Sequence, residues 1–187
     1  MNIRPATDAD AQPIAQIHVD TWQAAYRGHL PDTCLDKMNV EGRACFWRVR
    51  ISQSPGVICI VQAETVLGFC DLIPSRDRDA SPHRVGEIAA IYIHPRHWRC
   101  GAGRMLGEHA LREARNLGFE SVTLWVLASN RNAIAFYEGL GFIADNAQKT
   151  EKLPDGTELS EVRYRFAFSG NNVVARDCRM TMQRACV

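Results

Sequence analysis

Two glycines one residue apart, Gly101 and Gly103, lie in the segment HPRHWRCGAGRML at residues 94–106. The segment follows an apolar, strand-like run and precedes a helix-like one. Glycine at such a junction lets backbone N–H groups close around an anion, and the helix N-terminus adds about half a positive charge. Arg99 and Arg104 flank the turn and can donate to further phosphate oxygens. These residues therefore point to the binding of a phosphate or pyrophosphate group.

The spacing of the glycines separates the known kinds of phosphate-binding turn. A Walker loop needs G-x-x-x-x-G-K-[ST], and the chain has no such string. A dinucleotide fingerprint needs G-x-G-x-x-G, but Leu106 stands where the third glycine belongs and Gly107 comes one residue late. Two interpretations stay open: a pyrophosphate cradle formed by the amides of residues 99–104, or a helix that simply begins after a tight turn.

A second segment with chemical potential, NRNAIAFYEGLGF at residues 130–142, lies one strand downstream. On a helix, Asn130, Ala133, Tyr137 and Leu140 fall on one stripe because they are spaced by three or four residues. The amide of Asn130 and the phenol of Tyr137 then face the same way, about 10 Å apart along the axis. A long ligand lying along this stripe would meet both groups, although a tyrosine between apolar neighbours is also a common core residue.

The elements that must position these segments alternate between helical and strand-like patterns. NIRPAT is predicted as a strand, and the next helix begins with Thr7 or Asp8 as its N-cap and ends at Gly28. A short helix follows Pro31, and EGRACFWRVRIS has helical spacing. The predicted strands after it are GVICIVQA, TVLGFCDLI, VGEIAAIYI, SVTLWVLA, FIADN and EVRYRFAF, with helices on either side of SVTLWVLA. The pattern predicts one mixed α/β domain over residues 1–168, with VGEIAAIYI covered on both faces.

Composition narrows the class of protein further. The chain has 187 residues, a net charge of +1 and 46% hydrophobic residues, so no field recruits nucleic acid or an anionic membrane. Seven scattered cysteines without a C-x-x-C pair favour reduced thiols, and no metal site is predicted. The polar start lacks a signal-peptide pattern, so we expect a cytoplasmic protein. Residues 169–187 are expected to be a disordered tail or a segment that docks on a partner subunit, for example in a homodimer.

Together the two motifs resemble those of the GNAT superfamily, the acetyl-CoA-dependent N-acetyltransferases. EIAAIYIHPRHWRCGAGRML is similar to the family's cofactor motif and NRNAIAFYEGLGF to its second motif, in the expected order and separated by one helix and one strand. The resemblance covers about residues 2–168. It implies a central, mostly antiparallel, twisted sheet of six to seven strands that splay apart at the cofactor, flanked by four to five helices.

The resemblance also implies which residues bind acetyl-CoA, the cosubstrate, without a metal. The turn is similar to the family's pyrophosphate site, strand residues 91–93 to the segment that pairs with the pantetheine arm, and Asn130 to a frequent cofactor contact. The implied cofactor-binding residues are Ile91, Tyr92, Ile93, Arg99, Cys100, Gly101, Ala102, Gly103, Arg104, Asn130 and Tyr137. In one departure from the family pattern [Q/R]-x-x-G-x-[G/A], Trp98 occupies the first position, so Arg99 or Arg104 is expected to supply that phosphate contact.

Acetyl transfer to an amine needs oxyanion donors, an acid for the departing thiolate and a base for the amine. Backbone amides of the strand supply the first, and Tyr137 matches the family's tyrosine acid. Glu87 is the candidate base, because period-2 geometry puts it on the face of Ala89 and Ile91. It is alternatively a solvated glutamate at a strand end. Cys100, in a helix-N-terminal turn, is a candidate acyl-accepting nucleophile in a second mechanism.

The acceptor side is the least specified part of the sequence. In the family it is built from the first helices and the loop between the third and fourth strands, here Trp22, Tyr26, the DTCLDK region and the loop PSRDRDASPH. Trp22 and Tyr26 either form an aromatic wall or pack in the core. Small amines, aminoglycosides, polyamines and protein amino termini all stay open as acceptors. The alternative function from another class is a non-catalytic acetyl-CoA-binding sensor or interaction module.

Overall fold

The computed structural model of this chain describes residues 1–28, 30–53, 58–152 and 156–169. Its strands are β1 (Asn2–Pro5), β2 (Ile58–Gln62), β3 (Val66–Pro74), β4 (Val85–Ile93), β5 (Ser121–Leu127), β6 (Ile143–Lys152) and β7 (Glu158–Ala167). Its α-helices are α1 (Ala11–Tyr26), α2 (Asp32–Leu35), α3 (Val40–Gln53), α4 (Ala102–Asn116) and α5 (Arg131–Gly139). The tail predicted at the C-terminus falls, from residue 170 onward, outside the described residues.

All these strands join one sheet in the order β1-β2-β3-β4-β5-β7-β6. Neighbouring strands are antiparallel throughout, except β4 and β5, which are parallel and joined through α4. The predicted mixed fold, with a mostly antiparallel sheet of six to seven strands, is therefore confirmed. β7 lies between β5 and the edge strand β6, so the last two strands pair in reverse of their chain order.

The parallel pair separates part-way along its length. Pairing between β4 and β5 covers Val85–Glu87 and Ser121–Thr123 in the described structure, although β4 continues to Ile93 and β5 to Leu127. Since a parallel ladder is otherwise evenly hydrogen-bonded, this early end opens a V-shaped gap in the middle of the sheet. The gap exposes backbone groups on both strands.

Apolar residues cover both faces of the sheet. On one face, Ile88 and Ile91 of β4 pack in a cluster with Leu106 of α4. On the other face, Ala90 and Tyr92 pack with α1 and α3 around buried residues such as Trp47. β4 therefore contributes to two cores, as its nearly continuous apolar sequence predicts.

The first helix is preceded by a short 3₁₀ turn at Asp8–Asp10, so it begins later than its sequence pattern predicts. Asp10 Oδ2 accepts hydrogen bonds from the Thr7 N–H at 2.7 Å and the Thr7 hydroxyl at 2.8 Å. Arg4 pairs with the same carboxylate at 2.7 Å. These contacts fix the direction of α1, which carries Trp22 and Tyr26.

No helix in the described ranges is both long and apolar enough to cross a membrane.

Candidate active site

The glycine turn between β4 and α4 has the backbone shape of an anion-binding concavity. Arg99 and Gly101 both have positive φ, at 60° and 86°, and α4 begins at Ala102 with no side-chain cap on its first N–H groups. Alternation of left-handed and ordinary residues directs successive N–H groups to one side, next to the positive end of the helix. Gly101 is required here because its φ is one that other residues rarely adopt.

Gly103 has a different physical role. A Cβ at this position would lie 3.3 Å from Phe136 Cε2 and 3.5 Å from Ile93 Cγ1. Its small size thus lets α5 and β4 approach the first turn of α4. Gly101 is therefore explained by its positive φ, and Gly103 by the close contact of α4 with α5 and β4.

Most side chains around the turn already form hydrogen bonds or ion pairs within the protein. Trp98 donates from Nε1 to the Ile93 carbonyl at 2.6 Å, so its indole caps the end of β4 and is not directed to a phosphate. The Cys100 thiol donates to the His97 carbonyl at 2.9 Å, and Arg104 pairs with Glu108 at 2.8 Å. Arg99 is exposed at the rim of the turn. Arg99 is therefore better placed than Arg104 to meet a phosphate without breaking an ion pair.

The edge of β4 that faces the gap carries free backbone donors. His94 donates to the Leu67 carbonyl at 2.9 Å, so this residue belongs to the β3–β4 ladder. Alternate residues of a strand direct their N–H groups to opposite edges, so Ile91 and Ile93 direct theirs toward β5. The Ile93 carbonyl is occupied by Trp98 and by the Thr21 hydroxyl at 3.1 Å. The available donors on this edge are the N–H groups of Ile91 and Ile93.

Helix α5 brings an amide and a phenol to the same region. Asn130 is the N-cap of α5, as predicted, and its Oδ1 accepts from the Ala133 N–H at 3.1 Å. Its Nδ2 has no partner among the described residues, so this group can donate to a ligand. Tyr137 is half-buried, with its ring 6.1 Å from that of Phe142. Burial raises the pKa of Tyr137 well above its usual value, and the nearby Tyr92 and Cys70 add to the effect.

Three aromatic residues form the opposite wall of the gap. Trp22 donates from Nε1 to the Tyr92 hydroxyl at 3.0 Å and packs edge-on against Tyr26 with ring centroids 4.9 Å apart. Burial raises the pKa of Tyr26, and Tyr92, Tyr137 and Glu161 raise it further. Trp22 and Tyr26 also pack against buried leucines such as Leu35. Trp22 and Tyr26 therefore line the gap and also pack in the hydrophobic core. The aromatic side chains of α1 and β4 meet beside Tyr137. We call Trp22, Tyr26 and Tyr92 the aromatic wall.

The predicted face of Glu87 is wrong, because the register of β4 shifts at Ala89. Ala90 pairs with Asp71 and Ile88 with Leu72, which leaves Ala89 as an extra residue in β4. A β-bulge of this kind interrupts the period of two. Glu87 therefore lies on the face of Ala90 and Tyr92, opposite to Ile91.

Glu87 is also buried rather than solvated, with 3% of its surface exposed. Its Oε2 accepts from the Arg76 N–H at 3.0 Å, and the Arg76 guanidinium pairs with the same carboxylate. The carboxylate thus lies on the face of the aromatic wall and is tied to the loop between β3 and β4. Its neighbour Asp71 pairs with Arg50 at 3.0 Å, and burial raises the Asp71 pKa.

Sequence reasoning did not identify three polar residues near the aromatic wall: His18, Arg43 and Glu161. The His18 ring packs against that of Tyr92 at a tilt of 40°, with centroids 5.1 Å apart, and the Glu161 charge raises the pKa of both Tyr26 and Tyr92. The sequence does contain one indication for His18, which precedes Trp22 by four residues and therefore shares its helical face. The position of Glu161 depends on the register of β7 against β5, where it pairs with Leu127.

In the described parts of the chain, no three His, Cys, Asp or Glu side chains converge as a metal site.

Comparison with known proteins gives a consistent result. A sequence model described as "Acetyltransferase (GNAT) family" matches residues 14–142. The N-acetyltransferase YuaI of Bacillus subtilis, itself uncharacterised, is 31% identical over 140 residues, which are 74% of this chain and 78% of YuaI. The L-amino acid N-acyltransferase MnaT of Escherichia coli is 28% identical over 145 residues, or 76% of this chain and 80% of MnaT.

Solved structures show the same fold. The structure of yncA from Salmonella typhimurium, determined with its cofactor acetyl-CoA, superposes with a TM-score of 0.69 at 22% identity. The superposition covers 92% of this chain and 96% of the yncA chain.

Proposed function

Because the chain belongs to the GNAT family of acetyltransferases, we propose that it transfers the acetyl group of acetyl-CoA to a primary amine by direct attack in a ternary complex. The observation that carries this proposal is the V-shaped gap, in which β4 leaves β5 after Glu87. A gap of this shape lets an extended thioester arm lie against a strand edge and reach through the sheet. We assign this activity to a domain formed by residues 1–168.

Acetyl-CoA would lie with its pyrophosphate in the turn at residues 99–104. The positive φ angles of Arg99 and Gly101 and the uncapped start of α4 support this assignment. The pantetheine arm would follow β4 at residues 91–93, and Asn130 Nδ2 would donate to it. Cys100 and Ala102 contribute backbone N–H groups to the turn. In this arrangement Cys100 is a binding residue, and its thiol is already engaged by the His97 carbonyl.

The chemical step needs three groups. The neutral amine attacks the acetyl carbonyl, and the resulting oxyanion accepts from strand N–H groups, of which Ile91 and Ile93 are the available ones. The C–S bond then breaks, and Tyr137 donates its proton to the departing thiolate. A phenol with a raised pKa is fully protonated at neutral pH, which supports this role.

Glu87 is the proposed base, acting through water on the amine. Its position on the face of the aromatic wall supports this role better than the predicted face of Ile91 would, because Tyr92 shares that face. Arg76 holds the carboxylate in place. The acceptor amine would approach between Glu87 and the aromatic wall formed by Trp22, Tyr26 and Tyr92.

The test is release of free thiol from acetyl-CoA in the presence of a panel of amines. Polyamines, aminoglycosides, amino acids and short peptides are each offered with the wild-type protein, and calorimetry follows acetyl-CoA binding in parallel. Amine-dependent release is the expected result. Binding without release from any amine would favour the non-catalytic acetyl-CoA-binding module, for which the comparisons give no support.

A further inference from the structure

Arg43 is an unusual arginine in this structure, because it is half-buried without a carboxylate partner among the described residues. Five arginines in the described residues are half-buried or buried: Arg4, Arg43, Arg50, Arg163 and Arg165. Four of them pair with aspartates at 2.7 to 3.2 Å. The guanidinium of Arg43 makes neither a hydrogen bond nor an ion pair with any described residue. A partly desolvated cation without an anion is costly, and an anionic ligand would remove that cost.

The position of Arg43 connects it to the acceptor side. Arg43 lies one turn before Trp47 on α3, and Trp47 donates from Nε1 to His18 Nδ1 of α1 at 3.2 Å. Trp22 in turn lies one turn after His18. Asp8, just before α1, pairs with Arg48 near the other end of α3, so the two helices run antiparallel. Arg43 and Trp22 therefore belong to the same end of the helix pair. The charge of Arg43 acts on both the His18 and the Tyr92 side chains.

A second, independent observation is a buried donor beside the same wall. His18 has 6% of its surface exposed, and its Nδ1 accepts from Trp47, so the ring proton belongs on Nε2. Nε2 is buried without a hydrogen-bond partner in the described structure. Buried N–H groups are nearly always paired, so an orphan donor is typical of a site that a ligand completes. The Tyr92 hydroxyl accepts from Trp22 and keeps its own proton to donate.

From these observations we infer that Arg43, with His18 and Tyr92, forms an anion subsite of the acceptor pocket, and that the acceptor is an amine that also carries a carboxylate. An α-amino acid has this chemistry. Its carboxylate would lie against Arg43 while its amino group lies toward Glu87 and Tyr137. The inference rests on the proposed function, since it names the acceptor class of the same reaction. The relative MnaT, named for acylation of L-amino acids, has an acceptor of this class.

The experiment compares matched amines that differ in the carboxylate alone. L-Phenylalanine and phenethylamine, and L-leucine and 3-methylbutylamine, are offered to the wild-type protein and to Arg43→Met. We expect the variant to lower kcat/KM for the amino acids about 10- to 100-fold through KM, the usual effect of losing a charge-assisted hydrogen bond. The kcat/KM for the two decarboxylated amines should change little. The preference for each amino acid over its matched amine, expressed as the ratio of their kcat/KM values, should therefore fall toward one in the variant.

Two controls separate the subsite from folding. Arg48→Met removes an exposed arginine of the same helix and should leave both ratios at their wild-type values. Acetyl-CoA binding by calorimetry and the melting temperature show whether Arg43→Met folds. If it does not, Arg43→Lys, which keeps the charge and loses the planar fork, is used in its place and should raise KM for the amino acids less steeply.

The outcomes also distinguish this inference from the proposed function. If amines are acetylated but wild type and Arg43→Met treat the matched pairs alike, the anion subsite is wrong and the acetyltransferase assignment stands. Preference of the wild type for amines without a carboxylate, or for peptide amino termini, overturns the subsite in the same way. If no amine is acetylated, the proposed function itself fails.

Discussion

Trp22 Nε1 donates to the Tyr92 hydroxyl at 3.0 Å, and this hydrogen bond joins helix α1 to the cofactor strand β4 beside the gap in the sheet. The bond fixes Trp22, a residue of the proposed acceptor side, relative to the strand that would position the thioester. Together with the bond from the Thr21 hydroxyl to the Ile93 carbonyl, this contact links the proposed acceptor side to the proposed cofactor side.

Replacing Trp22 by phenylalanine keeps an aromatic ring in the wall and removes the donor. We expect KM for the amine to rise about 2- to 10-fold, because a neutral hydrogen bond contributes about 0.5–1.5 kcal/mol. The dissociation constant of acetyl-CoA should stay unchanged. Trp98→Phe is the matched control, since its indole bonds the Ile93 carbonyl on the cofactor side and should affect acetyl-CoA instead. Equal effects of both variants on both substrates would refute this division of the site.

Tyr137→Phe tests the acid. Loss of a general acid typically lowers kcat by 10²- to 10⁴-fold, so we expect a decrease of about that size with little change in acetyl-CoA binding. Tyr164→Phe is the control, because this tyrosine belongs to the same hydrophobic cluster but its hydroxyl donates to Glu138 at 3.1 Å. Full activity of Tyr137→Phe would remove the tyrosine from the mechanism.

Tyr137 also determines how kcat depends on pH in the alkaline range. The acid works in its protonated form, and burial raises its pKa above the ordinary value of 10. Protonated Tyr137 therefore persists through pH 10, and kcat measured from pH 7 to about pH 9.5 should show no alkaline decline. A decline in that range that disappears in Tyr137→Phe would contradict the assigned pKa shift.

The ion pairs of Arg163 are expected to make the largest ionic contribution to the free energy of unfolding. Arg163 is 5% exposed and bonds Asp77, Asp79 and Asp145 at 2.7 to 3.0 Å, which ties the loop between β3 and β4 to β6 and β7. Arg163→Met removes a buried guanidinium from the half-buried carboxylates of Asp77 and Asp145 and should lower the free energy of unfolding by about 1.5–3 kcal/mol.

The exposed pair of Arg84 and Glu120, at 2.7 Å, is the comparison. Arg84→Met should leave the free energy of unfolding in urea close to that of the wild type, because solvent screens this pair. Similar losses for the two variants would show that burial is not what makes the Arg163 contacts strong.

His18 should make the protein less stable in acid. Burial, with a further effect from the Arg43 charge, lowers its pKa from 6.5 to about 3. The unfolded chain takes up this proton below pH 6.5 while the folded protein does not until about pH 3. The contribution of His18 is therefore complete above pH 6.5 and is lost as the pH falls toward 3, at up to about 1.4 kcal/mol per pH unit.

Urea unfolding of the wild type and of His18→Gln between pH 7 and pH 4 measures this contribution. The variant should show a shallower loss of stability with falling pH, whatever its stability at pH 7. His83→Gln, at an exposed histidine of the loop between β3 and β4, should keep the wild-type slope. A wild-type slope in His18→Gln would show that His18 takes up its proton in the folded protein.

Local patterns were enough to predict most of the elements. The apolar run VGEIAAIYI corresponds to β4, Val85–Ile93, and Asn130 caps α5 as its residue type suggests. Gly101 has the positive φ that a glycine at such a turn suggests. These features depend on neighbouring residues, so the sequence specifies them locally.

The remaining features of the fold and of the candidate site depend on contacts between segments that are distant in the sequence. The bulge at Ala89 changes the face of Glu87, and nothing in the run of apolar residues around it marks an extra residue. The partners of Arg163 come from residues 77, 79 and 145, brought together by the insertion of β7 between β5 and β6. That Arg43 has no carboxylate partner in the described part of the chain likewise depends on how α3 packs against α1, which local patterns do not specify.

The most direct test of the account is mass spectrometry of one reaction containing the protein, acetyl-CoA and an amino acid, with the intact protein mass and the amine product read from the same sample. Direct transfer predicts an N-acetylated product in a one-to-one ratio with released coenzyme A, and a protein of unchanged mass before and after the amine is added. A protein that gains an acetyl group on Cys100 from acetyl-CoA alone, and loses it to the amine, would contradict the ternary-complex mechanism. Bound acetyl-CoA without any acetylated amine would contradict the transferase assignment.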